Sequence, residues 1–163
     1  MIRTEIKTEF TDSELEEAML RSEDAIIAYS KVPIEKSFVY CNIEGHPFRI
    51  RVYECGSKQK ETIVATFGYL HNQLHYMNLW TRLAERYRVV VFEHGSNGLN
   101  TKLKDCSGLQ SVDAAEEWVI DWFTALISKL DLPEKFHMLG QCQSCHQVAL
   151  YASKFPERIL SLF

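Results

Sequence analysis

Long apolar runs are missing from this sequence. No stretch reaches the roughly 18 apolar residues that a membrane-spanning helix needs. Residues 1–9 mix charged, polar and apolar side chains and have no apolar centre of the kind found in secretory signal peptides. We therefore expect no membrane span and no secretory signal in these residues.

Clustered basic residues are missing as well. The chain carries 18 lysines and arginines against 22 aspartates and glutamates, a formal net charge of −4. A protein that binds nucleic acid typically presents a basic face, and here Lys102 and Lys104 are the nearest approach to one. We expect no nucleic-acid partner.

The five cysteines show no regular pairing. They lie at positions 41, 55, 106, 142 and 145. An odd number at irregular spacing favours free thiols in a reducing compartment, which predicts a cytoplasmic protein, with an organelle as the alternative. Cys142 and Cys145 have C-x-x-C spacing, but no second pair completes a zinc site. We expect no metal and no cofactor.

What the chain does contain is a regular succession of strand and helix patterns. Its 163 residues, 46% of them hydrophobic, suffice for one domain with a core. The hydrophobic periodicity predicts helices at 11–29, 77–87, 112–130 and 143–154, a β-hairpin at 36–56, and strands at 62–66, 88–92, 136–139 and 159–163.

A hairpin followed by alternating strands and helices predicts an α/β fold. Its sheet should be mostly parallel, with helices on both faces. In such sheets the functional side chains follow the carboxyl ends of the strands, here in the loops that begin at Phe67, Glu93 and Gly140. We interpret residues 1–35 as a helical N-terminal extension and residues 36–163 as the core.

The first predicted helix has an apolar side and an acidic side. Leu15, Met19 and Ile26 recur at nearly helical spacing and are expected to dock on the core. Five acidic residues lie between Asp12 and Glu23, and we expect them to face solvent.

The stretch Gly140-Gln141-Cys142-Gln143-Ser144 joins a predicted strand to a predicted helix. A nucleophile on such a bend needs small residues two positions to either side, so that strand and helix can approach. The positive end of the helix dipole would then stabilise a Cys142 thiolate. The backbone amide of Gln143 would be one donor to an oxyanion, and the amide of Tyr69, behind Gly68, would be the second.

These motifs resemble the α/β-hydrolase superfamily over residues 37–163. The residues from Leu139 to Gln141, and from Ala149 to Ile159 with the Phe-Pro-Glu-Arg turn, are similar to the elbow helix of that superfamily. The stretch Glu-Trp-Val-Ile-Asp-Trp at 117–122 is similar to lysophospholipid lipases and their catalytically dead lipase co-activator relative. The resemblance implies an α/β-hydrolase-like sheet, truncated after the strand that follows the elbow helix.

The chain departs from the superfamily pattern at several positions. The nucleophile is Cys142 where the superfamily usually has Ser, and Ser144 replaces the second Gly of Gly-x-Ser-x-Gly. Phe67 replaces the His of a His-Gly pair. In the loop after the next strand, Glu93, Ser96 and Asn100 stand for Asp, Gly and Ser, and Gly98 is kept.

The acid and the histidine of the superfamily's triad follow the nucleophile in chain order. After Cys142 the sequence offers Glu157 and His146. His146 lies four residues further along the same helix, and nothing in the spacing requires it, His71 or His94 to pair with the thiol. The residues proposed to line the cleft are Phe67, Gly68, His71, His94, Gln141 and Ser144.

Two functions follow from this pattern. For these 163 residues, the departures from the superfamily pattern and the lack of a recognisable downstream acid and histidine favour a catalytically degenerate scaffold or co-activator subunit. The alternative is an ester or thioester hydrolase or acyl transferase, acting on an acyl or lipid substrate with Cys142 as nucleophile, if the chain is part of a longer enzyme. In either case we expect the open sheet edge at 159–163 to be covered by a protein partner or by a missing C-terminal region.

Overall fold

The computed structural model describes residues 12–43, 45–68, 72–95, 97–102 and 111–163. Tyr69, His71, Ser96 and Cys106 lie outside these ranges. The α-helices are α1 (Asp12–Ile27), α2 (Met77–Leu83), α3 (Val112–Ile127) and α4 (Gln143–Lys154). The strands are β1 (Ile34–Ile43), β2 (His46–Cys55), β3 (Thr62–Phe67), β4 (Arg88–Phe92), β5 (Phe136–Gln141) and β6 (Ile159–Leu162), and short 3₁₀ helices span Gln73–Tyr76 and Pro156–Arg158.

The six strands form one sheet in the order β1-β2-β4-β3-β5-β6. The hairpin β1-β2 joins β4 in antiparallel fashion, and β4, β3, β5 and β6 run parallel. In the register between β3 and β5, Phe67 lies opposite Gln141, so both strands end at the same edge. The prediction of a mostly parallel sheet with an N-terminal hairpin is confirmed.

The two central strands are buried along their whole length, because helices cover both faces of the sheet. One face packs against α3 and α4, where Trp122, Phe123 and Val148 meet β-strand residues such as Val64 and Val90. The other face packs against α2 and the end of α1 around Trp80, Met77 and Ile27.

The helix predicted at 77–87 ends earlier, at Leu83. Lys60 donates from its ammonium group to the carbonyl oxygens of Ala84 (3.2 Å) and Glu85 (2.6 Å), which closes the helix. Lys60 lies in the loop before β3, so the periodicity of residues 77–87 could not indicate that it ends the helix. At the other end, the Asn72 side chain accepts from Leu74 N (2.8 Å) and starts the 3₁₀ turn that leads into α2.

The prediction for the sides of α1 was wrong in two respects. Leu15 and Ile26 remain 45% and 42% exposed, whereas Glu23 is 2% exposed. Glu23 is drawn inward because its carboxylate accepts from Arg51 Nη2 (2.5 Å) and from the Tyr53 hydroxyl (2.6 Å), both on β2. A buried carboxylate is tolerated when it is paired and hydrogen-bonded, so α1 is anchored by charge at the point where the sequence suggested a solvated face.

Candidate active site

Cys142 occupies the bend between β5 and α4 in a conformation that few side chains adopt. Its φ is 60° and its ψ is −129°. Among the described residues, no other non-glycine residue has a positive φ. The bend is tight because strand and helix touch at Gly140. A Cβ atom there would lie 2.6 Å from Val148 Cγ2 and 2.8 Å from the Ser144 carbonyl oxygen. The geometry is that of a strand–turn–helix elbow with Cys142 at its apex.

The side chains around the apex point in different directions. Cys142 and Gln143 are exposed, whereas Ser144 is fully buried. The Cys145 thiol donates to the Gly140 carbonyl oxygen (3.3 Å), back toward the strand. Both cysteines are free thiols, and only that of Cys142 stands on the bend.

The end of β3 lies beside the elbow. Phe67 is fully buried and stacks on the Tyr76 ring, with 4.8 Å between the ring centroids. Gly68 donates its backbone N–H to the side-chain oxygen of Gln141 (3.2 Å). Of the residues predicted from sequence, Phe67, Gly68 and Gln141 therefore lie next to Cys142's bend, while Tyr69 and His71 belong to the segment outside the described residues.

The loop after β4 is built around Glu93 and Asn100. The Asn100 side chain accepts from Arg51 N (2.7 Å) and donates to the carbonyl oxygens of Glu93 (2.9 Å) and Gly95 (2.8 Å). Glu93 is 1% exposed, and its Oε1 accepts from Gln73 N (3.0 Å). Burial raises the pKa of the Glu93 carboxyl to about 7, against the lowering effect of the Gln73 hydrogen bond.

A pH dependence of stability follows from Glu93. Its folded pKa of about 7 exceeds the ordinary value of 4.5, so the folded state binds this proton more tightly than the unfolded state. The resulting stabilisation is complete below pH 4.5 and is lost as the pH rises to 7. The loss amounts to about 3 kcal/mol at ~1.4 kcal/mol per pH unit.

Glu93→Gln keeps an oxygen for Gln73 N and cannot ionise. We expect urea unfolding of this variant to show a weaker decline of stability between pH 5 and 7 than wild type, and higher stability at pH 8. Glu134→Gln, at an exposed position, is the control and should follow wild type. A wild-type decline that persists in Glu93→Gln would show that another group titrates.

The described histidines near the site have partners other than Cys142. His94 is buried and contacts the Gln147 side-chain oxygen through Nε2, and burial lowers the pKa of its imidazole. It lies on the α3–α4 side of the sheet, tilted against Trp122 with 6.0 Å between ring centroids. His146 Nε2 is 3.5 Å from Glu116 Oε1 on α3. His94 is therefore packed between Trp122 of α3 and Gln147 of α4.

A groove of about 530 Å³ lies between α1 and the 3₁₀ helix that follows the β3 loop. Its walls include Leu15, Met19 and Ile26 of α1 and Leu74 on the opposite side. Within the described ranges, no group of three His, Cys, Asp or Glu side chains is arranged to hold a metal ion. Over the same residues, no helix combines the length and apolar character needed to cross a bilayer.

Several solved structures share the fold of this chain. A naproxen esterase from Bacillus subtilis matches with a TM-score of 0.69 at 16% identity, over 94% of this chain and 50% of its own. A membrane phospholipase A described as a bacterial virulence factor matches with a TM-score of 0.64 at 22% identity, over 91% and 44%. The thioesterase domain from the curacin biosynthetic pathway matches with a TM-score of 0.65 at 20% identity, over 80% and 45%.

The chain has the α/β-hydrolase fold. No protein-family model matches it, and no curated protein does so either. The chain spans about half the length of the solved α/β-hydrolase structures that it matches. The α/β-hydrolase resemblance expected from the elbow motif is confirmed at the level of the fold, and the finer likeness to lysophospholipid lipases stays a prediction.

Two residues of the candidate site make hydrogen bonds that sequence reasoning missed. Gln73 is fully buried, and its side-chain amide bonds to both backbone groups of Phe67, at 2.8 Å each. Gln141 was expected only to line the cleft, yet its side-chain oxygen accepts from the backbone N–H of Gly68, the residue after Phe67. A glutamine in a loop usually indicates an exposed surface, so Gln73 carried no local signal. For Gln141 the signal was its place directly before the nucleophile position.

Proposed function

We propose that this chain carries the nucleophile of a thiol-dependent hydrolase or acyl transferase that acts on acyl esters or thioesters. The supporting observation is the backbone of Cys142. An L-residue with positive φ costs about 1–2 kcal/mol, and such strain clusters at functional sites because it presents a reactive group. Here the strained residue is an exposed thiol at the start of α4.

The proposed chemistry has two steps. The Cys142 sulfur attacks the acyl carbonyl carbon, the alcohol or thiol leaves with a proton, and an acyl-cysteine remains. Water or an acceptor hydroxyl, amine or thiol then takes the acyl group and frees the thiol. The oxyanion in each step would accept from the amide of Gln143 and, as we propose, from the amide of Tyr69.

The general base is proposed to lie outside the described residues. His94 contacts the Gln147 side-chain oxygen, and His146 Nε2 lies 3.5 Å from Glu116 Oε1. In the α/β-hydrolase fold the acid and histidine follow the elbow in chain order, and this chain spans about half the length of its structural neighbours. We therefore propose that the base comes from a longer chain or from a partner subunit.

The substrate's acyl part is proposed to be apolar. The groove beside α1 adjoins Asn72 and Leu74, which directly follow the loop after β3, and apolar grooves of such volume typically receive small ligands. Among the structural neighbours are a phospholipase, an esterase and a thioesterase. Comparing acetyl with decanoyl p-nitrophenyl esters would show whether a longer chain reacts faster.

Acylation rates at two cysteines of one helix turn test the proposed function. We expect Cys142 to be acylated by p-nitrophenyl acetate at least about tenfold faster than Cys145, because a single oxyanion donor is worth on the order of 10²-fold. Both thiols are exposed, so access alone does not separate them. Mass spectrometry of peptides from the full chain after short exposures measures both rates.

Cys142→Ser and Cys145→Ser are the matched variants. The first should remove the fast phase of acylation, and the second should leave it unchanged. Equal acylation of the two thiols in wild type would contradict a nucleophile role for Cys142.

A non-catalytic scaffold or co-activator subunit is the second candidate. It is favoured by Phe67, which stacks on Tyr76 inside the core where the superfamily usually places a histidine. Turnover of acyl esters by the full chain, abolished in Cys142→Ala, would reject this candidate. Binding to a lipase-type partner without turnover would support it.

The edge of the sheet at β6 is proposed to be covered in the functional protein. Among the described residues, β6 pairs with β5 on one side and with no strand on the other, and Leu160, Leu162 and Phe163 are 46%, 44% and 68% exposed. An open apolar edge tends to pair with another chain, so a protein partner or a further part of the chain would fit there. A cytoplasmic location stays a prediction, which the free thiols of the described cysteines support.

A further inference from the structure

Two exposed thiols lie one turn apart at the start of α4. Cys142 and Cys145 are both free and both exposed. The backbone N–H of Cys145 donates to the Cys142 carbonyl oxygen (3.0 Å), which closes the four residues into a single turn. Such a turn brings its first and fourth Cα atoms within about 7 Å, and a disulfide spans Cα atoms about 4.4–6.8 Å apart. The backbone therefore already holds the two cysteines within the reach of a disulfide bond.

The Cys145 side chain points back toward the bend. In an α-helix each Cα–Cβ bond leans toward the N-terminus, and Cys145 belongs to the first turn of α4. Its thiol accordingly donates to the carbonyl oxygen of Gly140 (3.3 Å), which precedes the bend. Because both cysteine side chains are at the surface, rotation about their Cα–Cβ bonds can bring the two sulfurs together without moving the core beneath the helix.

The other described cysteines have different surroundings. Cys41 and Cys55 are 7% and 3% exposed, and burial raises the pKa of both thiols, that of Cys55 to about 12. The thiolate is the form of cysteine that reacts with oxidants, so buried and protonated thiols are inert. Among the described residues, we therefore expect oxidation of the folded protein to be confined to the two cysteines at the start of α4.

We propose that Cys142 and Cys145 are a redox-active dithiol, in which a hydroperoxide oxidises Cys142 and Cys145 closes the disulfide. In reducing compartments disulfides are usually transient and are either catalytic or redox-sensing, which agrees with free thiols at rest. The inference goes beyond the proposed function and does not depend on it, because disulfide formation needs neither an acyl substrate nor an oxyanion donor.

The reaction consumes one peroxide molecule for each pair of thiols. The Cys142 thiolate attacks one peroxide oxygen, the O–O bond breaks, and the other oxygen leaves as water or an alcohol with the proton that the thiol released. Cys142 is then a sulfenic acid. The Cys145 sulfur attacks the Cys142 sulfur, the S–O bond breaks, and water leaves with the proton of the Cys145 thiol. The two thiols have supplied the two electrons that reduce the peroxide.

Peroxide treatment of the full chain tests the pair. The tryptic peptide of residues 136–154 contains both cysteines of α4 and no other cysteine. After hydrogen peroxide, removal of the excess by catalase and denaturation in N-ethylmaleimide, we expect this peptide to be lighter by two hydrogens than its reduced form and to carry no maleimide. Dithiothreitol should restore both alkylation sites. Cys41 and Cys55 should remain alkylatable throughout, which provides an internal control.

Cys145→Ser is the matched variant. It changes one atom at an exposed position, so its melting temperature should stay close to wild type. We expect the variant to lose the disulfide. Its Cys142 should instead accumulate the sulfinic acid, which is two oxygens heavier and which dithiothreitol does not reduce. The presence of Cys145 thus decides whether oxidation at Cys142 is reversible.

The outcomes distinguish the redox pair from the proposed function. Sulfinic acid at Cys142 in wild type, formed as fast as in Cys145→Ser, would overturn the pair. A disulfide from either cysteine to Cys106 or to a second chain would overturn it as well. If the disulfide forms and is reversed, but the reduced protein is acylated equally at Cys142 and Cys145, the pair stands and the nucleophile role falls. Preferential acylation of Cys142 in a chain whose pair never closes would reject the pair and support the nucleophile role.

Discussion

Replacing Gly140 with alanine is expected to destabilise the protein by about 3 kcal/mol or more, near the top of the range for overpacked sites. The added Cβ would lie 2.6 Å from Val148 Cγ2, 2.8 Å from the Ser144 carbonyl oxygen and 3.0 Å from Cys145 Cα. Two of these atoms are backbone, so a rotamer change cannot relieve the contact. Strand β5 and helix α4 would have to separate at the bend.

A thermal melt measures this effect. For a chain of this length, about 3 kcal/mol corresponds to roughly 6–12 °C in Tm. Gly45→Ala is the comparison variant: it has a positive φ of 84°, which Gly140 does not have, but no atom within 4 Å of the new Cβ, so it adds backbone strain without a steric contact. The control isolates backbone strain of about 1–2 kcal/mol. Equal Tm values for the two variants would contradict the steric cost that we expect at Gly140.

Truncating Glu23 to alanine is expected to cost about 3–5 kcal/mol, the usual effect of breaking a buried ion pair. The side chains of Arg51 and Glu23 are 4% and 3% exposed. Without Glu23 the guanidinium keeps its contact with the Phe38 ring, 4.5 Å from its centroid, but loses its counter-charge. Tyr53 also loses the acceptor of its buried hydroxyl.

The same pair of elements provides the control for Glu23. Arg49 and Glu16 also join β2 to α1, but their side chains are 30% and 40% exposed. Glu16→Ala should cost about 0–1 kcal/mol, as partly solvated pairs do. Urea unfolding compares the two variants, and equal losses would contradict the importance of burial. Replacing both partners, as Glu23→Leu with Arg51→Met, should recover much of the loss.

The sequence predicted the elements whose signals are local. β4 and α4 begin and end as expected, because an apolar β-branched run and a helical repeat each carry their own signal. The predictions for the end of α2 and for the exposure of Glu23 were wrong because the residues that determine both are distant in sequence. Lys60 closes α2, and Arg51, 28 residues away, draws Glu23 inward.

In the candidate site, too, local features could be predicted from the sequence and long-range contacts could not. The bend at Cys142 could be predicted from the small residues around it, because strand–turn–helix geometry constrains a few neighbouring positions. The hydrogen bond from Gly68 N to the Gln141 side chain could not be predicted, since it joins residues 73 positions apart and neither residue carries a local signal for it. The roles of Cys142, Gln143 and Tyr69 in catalysis stay predictions.

The strand order has a consequence for the newly made chain. The hairpin β1-β2 emerges first, but its partner in the sheet is β4, with Cys55 opposite Val89. β3 lies between them in sequence and on the far side of β4 in space. During synthesis the edge of β2 that pairs with β4 therefore stays unpaired until β4 has been synthesised as far as Phe92. Exposed strand edges invite pairing with other chains, so the time between β2 and β4 leaving the ribosome is when this protein most needs protection.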